Sequence, residues 1–203
     1  MNADPFARIL KARGLVVLDG GLATALEDQG HVLADELWSS RLLLDDPEAI
    51  SMAHTRYLDV GSDCITTASY QASCAGFAAA GIGPDEGASL LARSTELARK
   101  AIHEQRPSPA LRPIVAASIG PYAAFLADGS EYNGRYEADL GAIKAFHQDR
   151  WTVLAESGPD IMACETIPNG MEAELLLDIL ETDGQRWAWI SFCCGDGGHL
   201  WDG

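Results

Sequence analysis

The stretch Trp187-Ala188-Trp189-Ile190-Ser191-Phe192-Cys193-Cys194 predicts a buried β-strand close to the last residue of the sequence, Gly203. It is short, mostly apolar and partly aromatic, and it follows a helical segment that closes at Asp183-Gly184. Counting strand-and-helix units backwards from this strand gives a chain of about five parallel strands. The stretch therefore places the protein in the α/β class, with a parallel sheet covered by helices.

Four earlier apolar runs predict the other strands, and amphipathic segments between them predict the helices. The strand segments are Leu15 to Leu18, Asp63 to Tyr70 with its exit loop, Ile114 to Ser118, and Ile161 to Cys164. The helix segments are Pro47 up to a stop at Gly61, Pro84 to Gln105, Tyr136 to Ser157, and Met171 to Leu180. Both a doubly wound sheet and part of a (β/α)8 barrel satisfy this alternation. A barrel would need three more units, or roughly 100 further residues.

The composition narrows the class of protein. With 203 residues and 47% hydrophobic amino acids, the chain can bury a sizeable core. Fourteen basic against thirty acidic side chains give a formal net charge of −16, which repels nucleic acid and anionic membranes. No segment is long and apolar enough for a signal peptide or a membrane span. Five cysteines without repeated spacing argue against a secreted disulfide framework, so we expect a cytoplasmic protein.

Polar residues stand where the predicted strands end. They are Asp19, Thr66, Thr67, Tyr70, Ser118, Glu165 and Ser191. Barrel active sites are built at this face from several strands at once. Nucleotide binding loses its main support, because Asp19-Gly20-Gly21-Leu22-Ala23-Thr24 lacks the G-x-G-x-x-G spacing and no P-loop motif occurs.

Asp19 and Glu165 are the carboxylates that the pattern singles out. Each ends a buried strand, where a charged side chain is costly unless it meets a partner or faces a cleft. Two acids on one rim suit a cationic ligand. The alternative is that Asp19 caps the turn at Gly20-Gly21 and Glu165 caps a helix near Pro168-Asn169.

Aromatic, histidine and cysteine residues give weaker signals. Trp38, Tyr70 and Tyr122 stand near the same rim, where their faces suit a quaternary ammonium or sulfonium group or else pack between layers. The histidines show no metal spacing and are expected to be solvated or interfacial; they are His31, His54, His103, His147 and His199. Cys64 and Cys164 are expected to be core residues, and the Cys193-Cys194 pair is also expected to be buried.

Several motifs together resemble the homocysteine S-methyltransferase family, over nearly the whole chain. The resemblance is closest to the branch that uses S-methylmethionine or S-adenosylmethionine, for which the run T-A-S-Y-Q-A is typical. The matching segments are Leu18-Asp19-Gly20-Gly21, Glu36-Leu37-Trp38-Ser39, Ile65 to Ala72, Ser118 to Tyr122, Leu126 to Tyr132, Glu165-Thr166-Ile167-Pro168 and Ser191-Phe192.

The resemblance implies a (β/α)8 barrel of the TIM type. In this family zinc at the strand ends binds the homocysteine thiol as a thiolate, whose sulfur attacks a methyl group on a cationic donor. By position, Asp19 and Glu165 match acids that hold the amino end of homocysteine, and Trp38 and Tyr70 match residues near the donor. Gly20 and Gly21 would let the substrate approach the backbone.

The resemblance also implies that the zinc ligands lie outside residues 1–203. The family holds zinc with three cysteines, in a G-[IV]-N-C segment and a Gly-Gly-Cys-Cys pair, and neither segment occurs here; Cys193-Cys194 follows Ser191-Phe192 instead. We therefore expect residues 1–203 to be the N-terminal part of a homocysteine-binding domain, with the later strands missing. The first and fifth strands would then have open edges, which favour self-association.

The main functional prediction is methyl transfer to L-homocysteine, giving methionine. One alternative is an inactive remnant or a ligand-binding fragment without the zinc site. Another is a barrel lyase or aldolase, which would ordinarily show a strand-end lysine; Lys11, Lys100 and Lys144 all lie in helical segments instead.

Overall fold

A computed structural model describes residues 3–33, 37–105, 108, 111–184 and 186–202, with the side chain of Trp38 also outside the description. Its described part contains one parallel sheet of four strands in the order β1-β2-β3-β4. The strands are β1 (Cys64–Thr66), β2 (Ile114–Ile119), β3 (Ile161–Ile167) and β4 (Ala188–Phe192). The helices are α1 (Ala7–Arg13), α2 (Leu22–Glu27), α3 (Leu42–Asp45), α4 (Pro47–Asp59), α5 (Cys74–Ala79), α6 (Pro84–Glu104), α7 (Tyr122–Leu126), α8 (Leu140–Glu156) and α9 (Gly170–Asp183).

The first predicted strand is wrong as a strand, although its place beside the sheet is right. Leu15 to Leu18 runs parallel to β1 and joins it by a single bridge, Leu18 to Cys64. The Asp63 N–H donates to the Val17 carbonyl at 2.7 Å on one side of that bridge. Leu15 and Leu18 are 55% and 51% exposed, because within the described structure β1 is the only strand that pairs with this segment.

The last predicted strand is confirmed as β4 but is not buried. It pairs with β3 alone in the described part of the chain, and Phe192 is 46% exposed. Apolar composition therefore identified the strand but overestimated its burial, since burial of an edge strand depends on what stands next to it.

The strand order separates the two folds that the sequence left open. Each strand pairs with the next one along the chain, starting from the bridged segment 15–18 and ending at β4. A doubly wound sheet reverses its order at a switch point, whereas a (β/α)8 barrel adds strands in one direction only. The arrangement is therefore that of a (β/α)8 barrel.

Helix starts follow local capping chemistry. The Asp46 carboxylate accepts from the Ala49 N–H at 3.2 Å and Pro47 takes the first position of α4, as its sequence predicts. The helix predicted from Tyr136 begins only at Leu140, because Asp139 caps it through the Ala142 N–H at 3.1 Å. Asn169 caps α9 in the same way, so Glu165 is not its cap.

The core has two sides, divided by the sheet. On the helix side, residues such as Ala117, Met162 and Cys164 pack against the covering helices. On the opposite side, Cys64, Ala116 and Ala163 form a smaller apolar cluster with Ile9 of α1. Because side chains alternate along a strand, the residue two places further on from each of these three lies on the same inner face. Those residues are Thr66, Ser118 and Glu165, the polar residues predicted for the site.

Two of the five histidines contradict the expectation of solvated or interfacial side chains. His54 on α4 and His147 on α8 are both fully buried. Neither ring nitrogen of His54 has a hydrogen-bond partner, and burial lowers the pKa of His54 to about 4. Residue type alone does not show this burial, because helix packing decides which face is covered.

The burial of His54 predicts a loss of stability in mild acid. Below pH 6.5 the unfolded chain takes up a proton at this ring that the folded chain resists down to about pH 4. The free energy of unfolding should therefore fall by about 2 kcal/mol between pH 7 and pH 5 on account of this ring alone. His54→Leu lacks this contribution. In denaturant titrations, its free energy of unfolding relative to the parent chain should therefore be about 2 kcal/mol higher at pH 5 than at pH 7.

The matched control is His103→Leu, on the exposed face of α6. This variant separates the effect of burying a histidine from the general effect of replacing a histidine by leucine, because the His103 side chain is exposed. A constant offset of His54→Leu from the parent at both pH values would show that the buried ring accepts its proton normally.

Candidate active site

A cavity of about 610 Å³ opens at the carboxyl ends of the strands. Every strand of the described sheet, together with the bridged segment before β1, contributes a residue to its wall. The polar residues of the wall include Asp19, Thr66, Thr67, Tyr70, Ser118, Glu165 and Ser191. All seven polar residues predicted from strand ends therefore lie in one cavity, because parallel strands bring their carboxyl ends to the same edge.

The Asp19 carboxylate is held by Thr66, at the end of the neighbouring strand β1. Its carboxylate accepts from the Thr66 backbone N–H at 2.7 Å and from the Thr66 hydroxyl at 2.6 Å. Burial raises the pKa of Asp19 to about 6, although both hydrogen bonds oppose the rise. Its partners are on β1, so Asp19 does not cap the Gly20-Gly21 turn. The result is a partly desolvated carboxylate that is mostly ionised at pH 7.

Glu165 stands on the same inner face, near the end of β3, with β1 and β2 between it and Asp19. It accepts a hydrogen bond from the Ser118 hydroxyl. Burial raises the pKa of Glu165, and the negative charge of Asp19 raises it further. Two buried carboxylates in one cavity, one of which raises the pKa of the other, favour a cation between them.

A β-bulge follows Glu165 at the rim of the cavity. Between Cys164 and Ile167 the register of β3 gains one residue relative to β4. Thr166 has a φ of 61°, in the left-handed region that β-branched residues rarely adopt. Its N–H donates to the Ser191 hydroxyl at 3.3 Å. Bulges of this kind re-aim side chains beside active sites.

The remaining predicted site residues have different outcomes. Tyr70 lines the cavity, as do Gly20 and Gly21. A Cβ at Gly20 would stand 3.0 Å from the Tyr57 hydroxyl, so the close neighbour of this glycine within the protein is Tyr57. The Trp38 side chain lies outside the described residues.

Tyr122 does not belong to the cavity wall. It packs edge-on against Phe146 and beside Phe125, in a cluster between α7 and α8. The layer-packing alternative is therefore correct for this residue.

The two predictions for cysteines also diverge. Cys64 and Cys164 are core residues, as expected. Cys193 and Cys194 are half-buried and exposed, because they follow β4 instead of lying in it, so the expectation of burial is wrong. In the part of the chain that the structure describes, no group of three or more His, Cys, Asp and Glu side chains could hold a metal ion.

Sequence reasoning missed a buried charged network beneath the site. Arg150 and Glu172 are fully buried, and Glu172 accepts from His147 Nε2 at 2.6 Å. A signal was present: His147 and Arg150 follow Ile143 by four and seven residues and so lie on the apolar face of α8. Charged residues on such a face indicate a buried partner.

A family model described as homocysteine S-methyltransferase matches residues 16–203. The chain belongs to the homocysteine S-methyltransferase family. The chain is 44% identical to the homocysteine S-methyltransferase YbgG of Bacillus subtilis. It is also 44% identical to the homocysteine S-methyltransferase of Escherichia coli. Each alignment covers 98% of this chain, which spans 65% of the length of each relative.

A solved structure of the same family supports the barrel assignment. The chain matches the metallated form of the Escherichia coli homocysteine methyltransferase MmuM with a TM-score of 0.92 at 44% identity. That match covers 98% of this chain and 70% of the MmuM chain. In the chain described here, none of the described helices is long and apolar enough to cross a membrane.

Thr166 gives a direct test of the bulge. Glycine adopts a positive φ without steric cost, so Thr166→Gly should change the free energy of unfolding by less than about 1 kcal/mol. The matched control is Thr67→Gly: Thr67 is buried, and its hydroxyl accepts from the Ser118 N–H at 3.0 Å. The variant loses this hydrogen-bond acceptor, and glycine loses more conformational entropy on folding than threonine does. Urea titrations should therefore show a free energy of unfolding lower by at least about 2 kcal/mol. Equal losses in the two variants would show that Thr166 is unstrained.

Proposed function

We propose that this protein acts in methyl transfer from a cationic sulfonium donor, such as S-methylmethionine, to the thiol of L-homocysteine. The observation that carries the proposal is the meeting of Asp19 and Glu165 in one cavity of a barrel that belongs to the homocysteine S-methyltransferase family. The names of its relatives, homocysteine S-methyltransferase and homocysteine methyltransferase, support the same reaction class.

In this proposal the two carboxylates bind the α-ammonium group of homocysteine. Thr66 and Ser118 hold the carboxylates through hydroxyl and backbone N–H groups, so their oxygens are oriented before the substrate arrives. Burial, and after it the charge of Asp19, raises the pKa of Glu165, and the positive charge of the ammonium group opposes both effects. Charge-assisted hydrogen bonds of this kind are stronger than neutral ones.

The reaction itself replaces one carbon–sulfur bond by another. The homocysteine sulfur bonds to the methyl carbon, and the bond from that carbon to the donor sulfonium breaks. Its electron pair stays on the donor sulfur, which becomes a neutral thioether, while the thiol proton passes to solvent. We propose that Tyr70 and Trp38 flank the donor, because aromatic faces attract sulfonium groups; for Trp38 this rests on sequence resemblance.

We propose zinc as the metal of the family reaction, where it lowers the pKa of a bound thiol. One related structure is of a metallated form. The described residues of this chain do not offer a zinc ligand set, so the steps assigned here are those of its own side chains. A cytoplasmic location is also part of the proposal, supported by five cysteines that are all free thiols.

Removing either carboxylate should weaken homocysteine binding. Asp19→Asn and Glu165→Gln each lose a charge-assisted contact worth on the order of 1.5 to 3 kcal/mol, so the Kd of homocysteine should rise at least tenfold. Calorimetric titration with L-homocysteine under a reductant measures the change. Asp178→Asn, an exposed carboxylate on α9, is the control and should bind like the parent. Parental affinity in both site variants would reassign the two acids to holding the strands.

Homocysteine affinity should also fall in mild acid. Because the pKa of Asp19 is about 6, its carboxylate is mostly charged at pH 7 and mostly neutral at pH 5. Affinity should therefore drop about tenfold over that interval in the parent chain, since only the charged form pairs with an ammonium group. Asp19→Asn should show a flatter profile. If the variant keeps the full pH dependence, another group is responsible for it.

Product analysis separates the proposal from its alternative. Incubating the chain with homocysteine and S-methylmethionine should yield methionine above the uncatalysed background. Homocysteine binding without methionine formation would favour the ligand-binding alternative over catalysis by this chain alone.

A further inference from the structure

Arg150 is the largest fully buried side chain in the described structure, and it lies directly beneath two loops of the candidate site. Its Nη2 donates to the Gly120 carbonyl and its Nη1 donates to the Tyr70 carbonyl at 3.4 Å. The guanidinium carbon stands 4.8 Å from the centre of the Phe146 ring. Burial lowers the pKa of Arg150 to about 10, so the side chain stays charged at neutral pH.

Gly120 transmits this contact to the Tyr70 ring. The Gly120 N–H donates to the Tyr70 carbonyl at 3.1 Å. A Cβ at Gly120 would stand 2.5 Å from that carbonyl oxygen and 2.7 Å from Cε2 of the ring. The ring therefore lies against the Gly120 backbone, at a distance that no side chain larger than hydrogen allows.

Glu172 holds the next part of the same loop and balances the charge. It accepts from the Tyr122 N–H, the Tyr136 hydroxyl and His147 Nε2. Burial alone would raise the pKa of Glu172, but the hydrogen bonds from His147, Tyr136 and Tyr122 hold it below the usual range. The carboxylate stays ionised, and its negative charge partly balances the buried positive charge of Arg150. The negative charge of Glu172 favours the charged form of Arg150 and so offsets part of the cost of its burial.

We propose that Arg150 is a positioning residue: its guanidinium donates hydrogen bonds to the Tyr70 and Gly120 carbonyls and thereby fixes the Tyr70 ring in the cavity. A guanidinium reaches both carbonyls in one rigid plane, which an ammonium group cannot do. This inference rests on the proposed function for its consequence: a displaced Tyr70 ring should impair donor binding and leave the homocysteine end, held by Asp19 and Glu165, unaffected.

The test uses the whole chain with isotope-labelled tyrosine. The sequence has five tyrosines, and the Tyr70 ring signal is assigned by its loss in Tyr70→Phe. Arg150→Lys should shift the Tyr70 signal and raise the Kd of S-methylmethionine about tenfold, with the Kd of homocysteine changed by less than twofold. The matched control is Arg93→Lys, whose Nη1 donates to the Leu43 carbonyl at 2.9 Å outside the cavity wall. It should leave all three readouts at parental values.

A second variant covers the case in which Arg150→Lys does not fold. Gly120→Ala leaves Arg150 intact but introduces the Cβ that would meet the Tyr70 ring, so it should shift the same signal and weaken the same ligand. An unmoved Tyr70 signal in folded Arg150→Lys, or in Gly120→Ala, overturns the proposal. A shifted Tyr70 signal without any S-methylmethionine binding in the parent chain would support the positioning role and reject that donor in the proposed function. Equal losses for both ligands would reduce Arg150 to a general structural role and overturn the inference.

Discussion

The alternation of side chains along parallel strands is the constraint on which this structure depends. It places Cys64, Ala116 and Ala163 on the inner face of the sheet, and two residues later it places Thr66, Ser118 and Glu165 on that same face. The apolar set closes the interior with Ile9 of α1, and the polar set opens into the cavity. The apolar core and the polar site therefore occupy successive inward-facing positions of the same strands. A one-residue slip in register would turn both sets toward the helices and bring the helix-facing residues inward.

The chain buries carboxylates in two different ways. Glu172 receives three hydrogen bonds and lies near Arg150, so its charge is stabilised within the protein. Asp19 and Glu165 receive only neutral donors, and burial raises the pKa of each. The first kind fixes the loops under the cavity, while the second leaves negative charge inside it for a cationic ligand. This difference distinguishes structural acids from candidate binding acids more clearly than burial alone.

Strain is concentrated at the point where β3 enters the cavity. The bulge at Thr166 interrupts the ladder between β3 and β4 immediately after Glu165. The close contact of Gly120 with Tyr70 lies on the neighbouring loop. The bulge gives up regular strand geometry and Gly120 gives up a side chain, each beside a residue that lines the cavity.

The sequence by itself determined the α/β class, the four strands of the sheet and the set of polar residues at strand ends, because period-two and period-3.6 patterns and turn-forming Pro, Gly and Asp residues are local properties. It also supplied the family resemblance that the family model now supports. It could not decide which elements are covered. Leu15 to Leu18 and β4 are as apolar as the central strands, yet they are partly exposed because of their places at the two sides of the described sheet.

Only the tertiary structure decided the environment of single residues. It placed Tyr122 in an aromatic cluster, buried His54 and His147, left Cys194 exposed and brought Arg150 under Tyr70. Arg150 and Tyr70 are 80 residues apart in sequence. Their contact arises from the packing of α8 beneath the loop that follows β1, which no local pattern encodes.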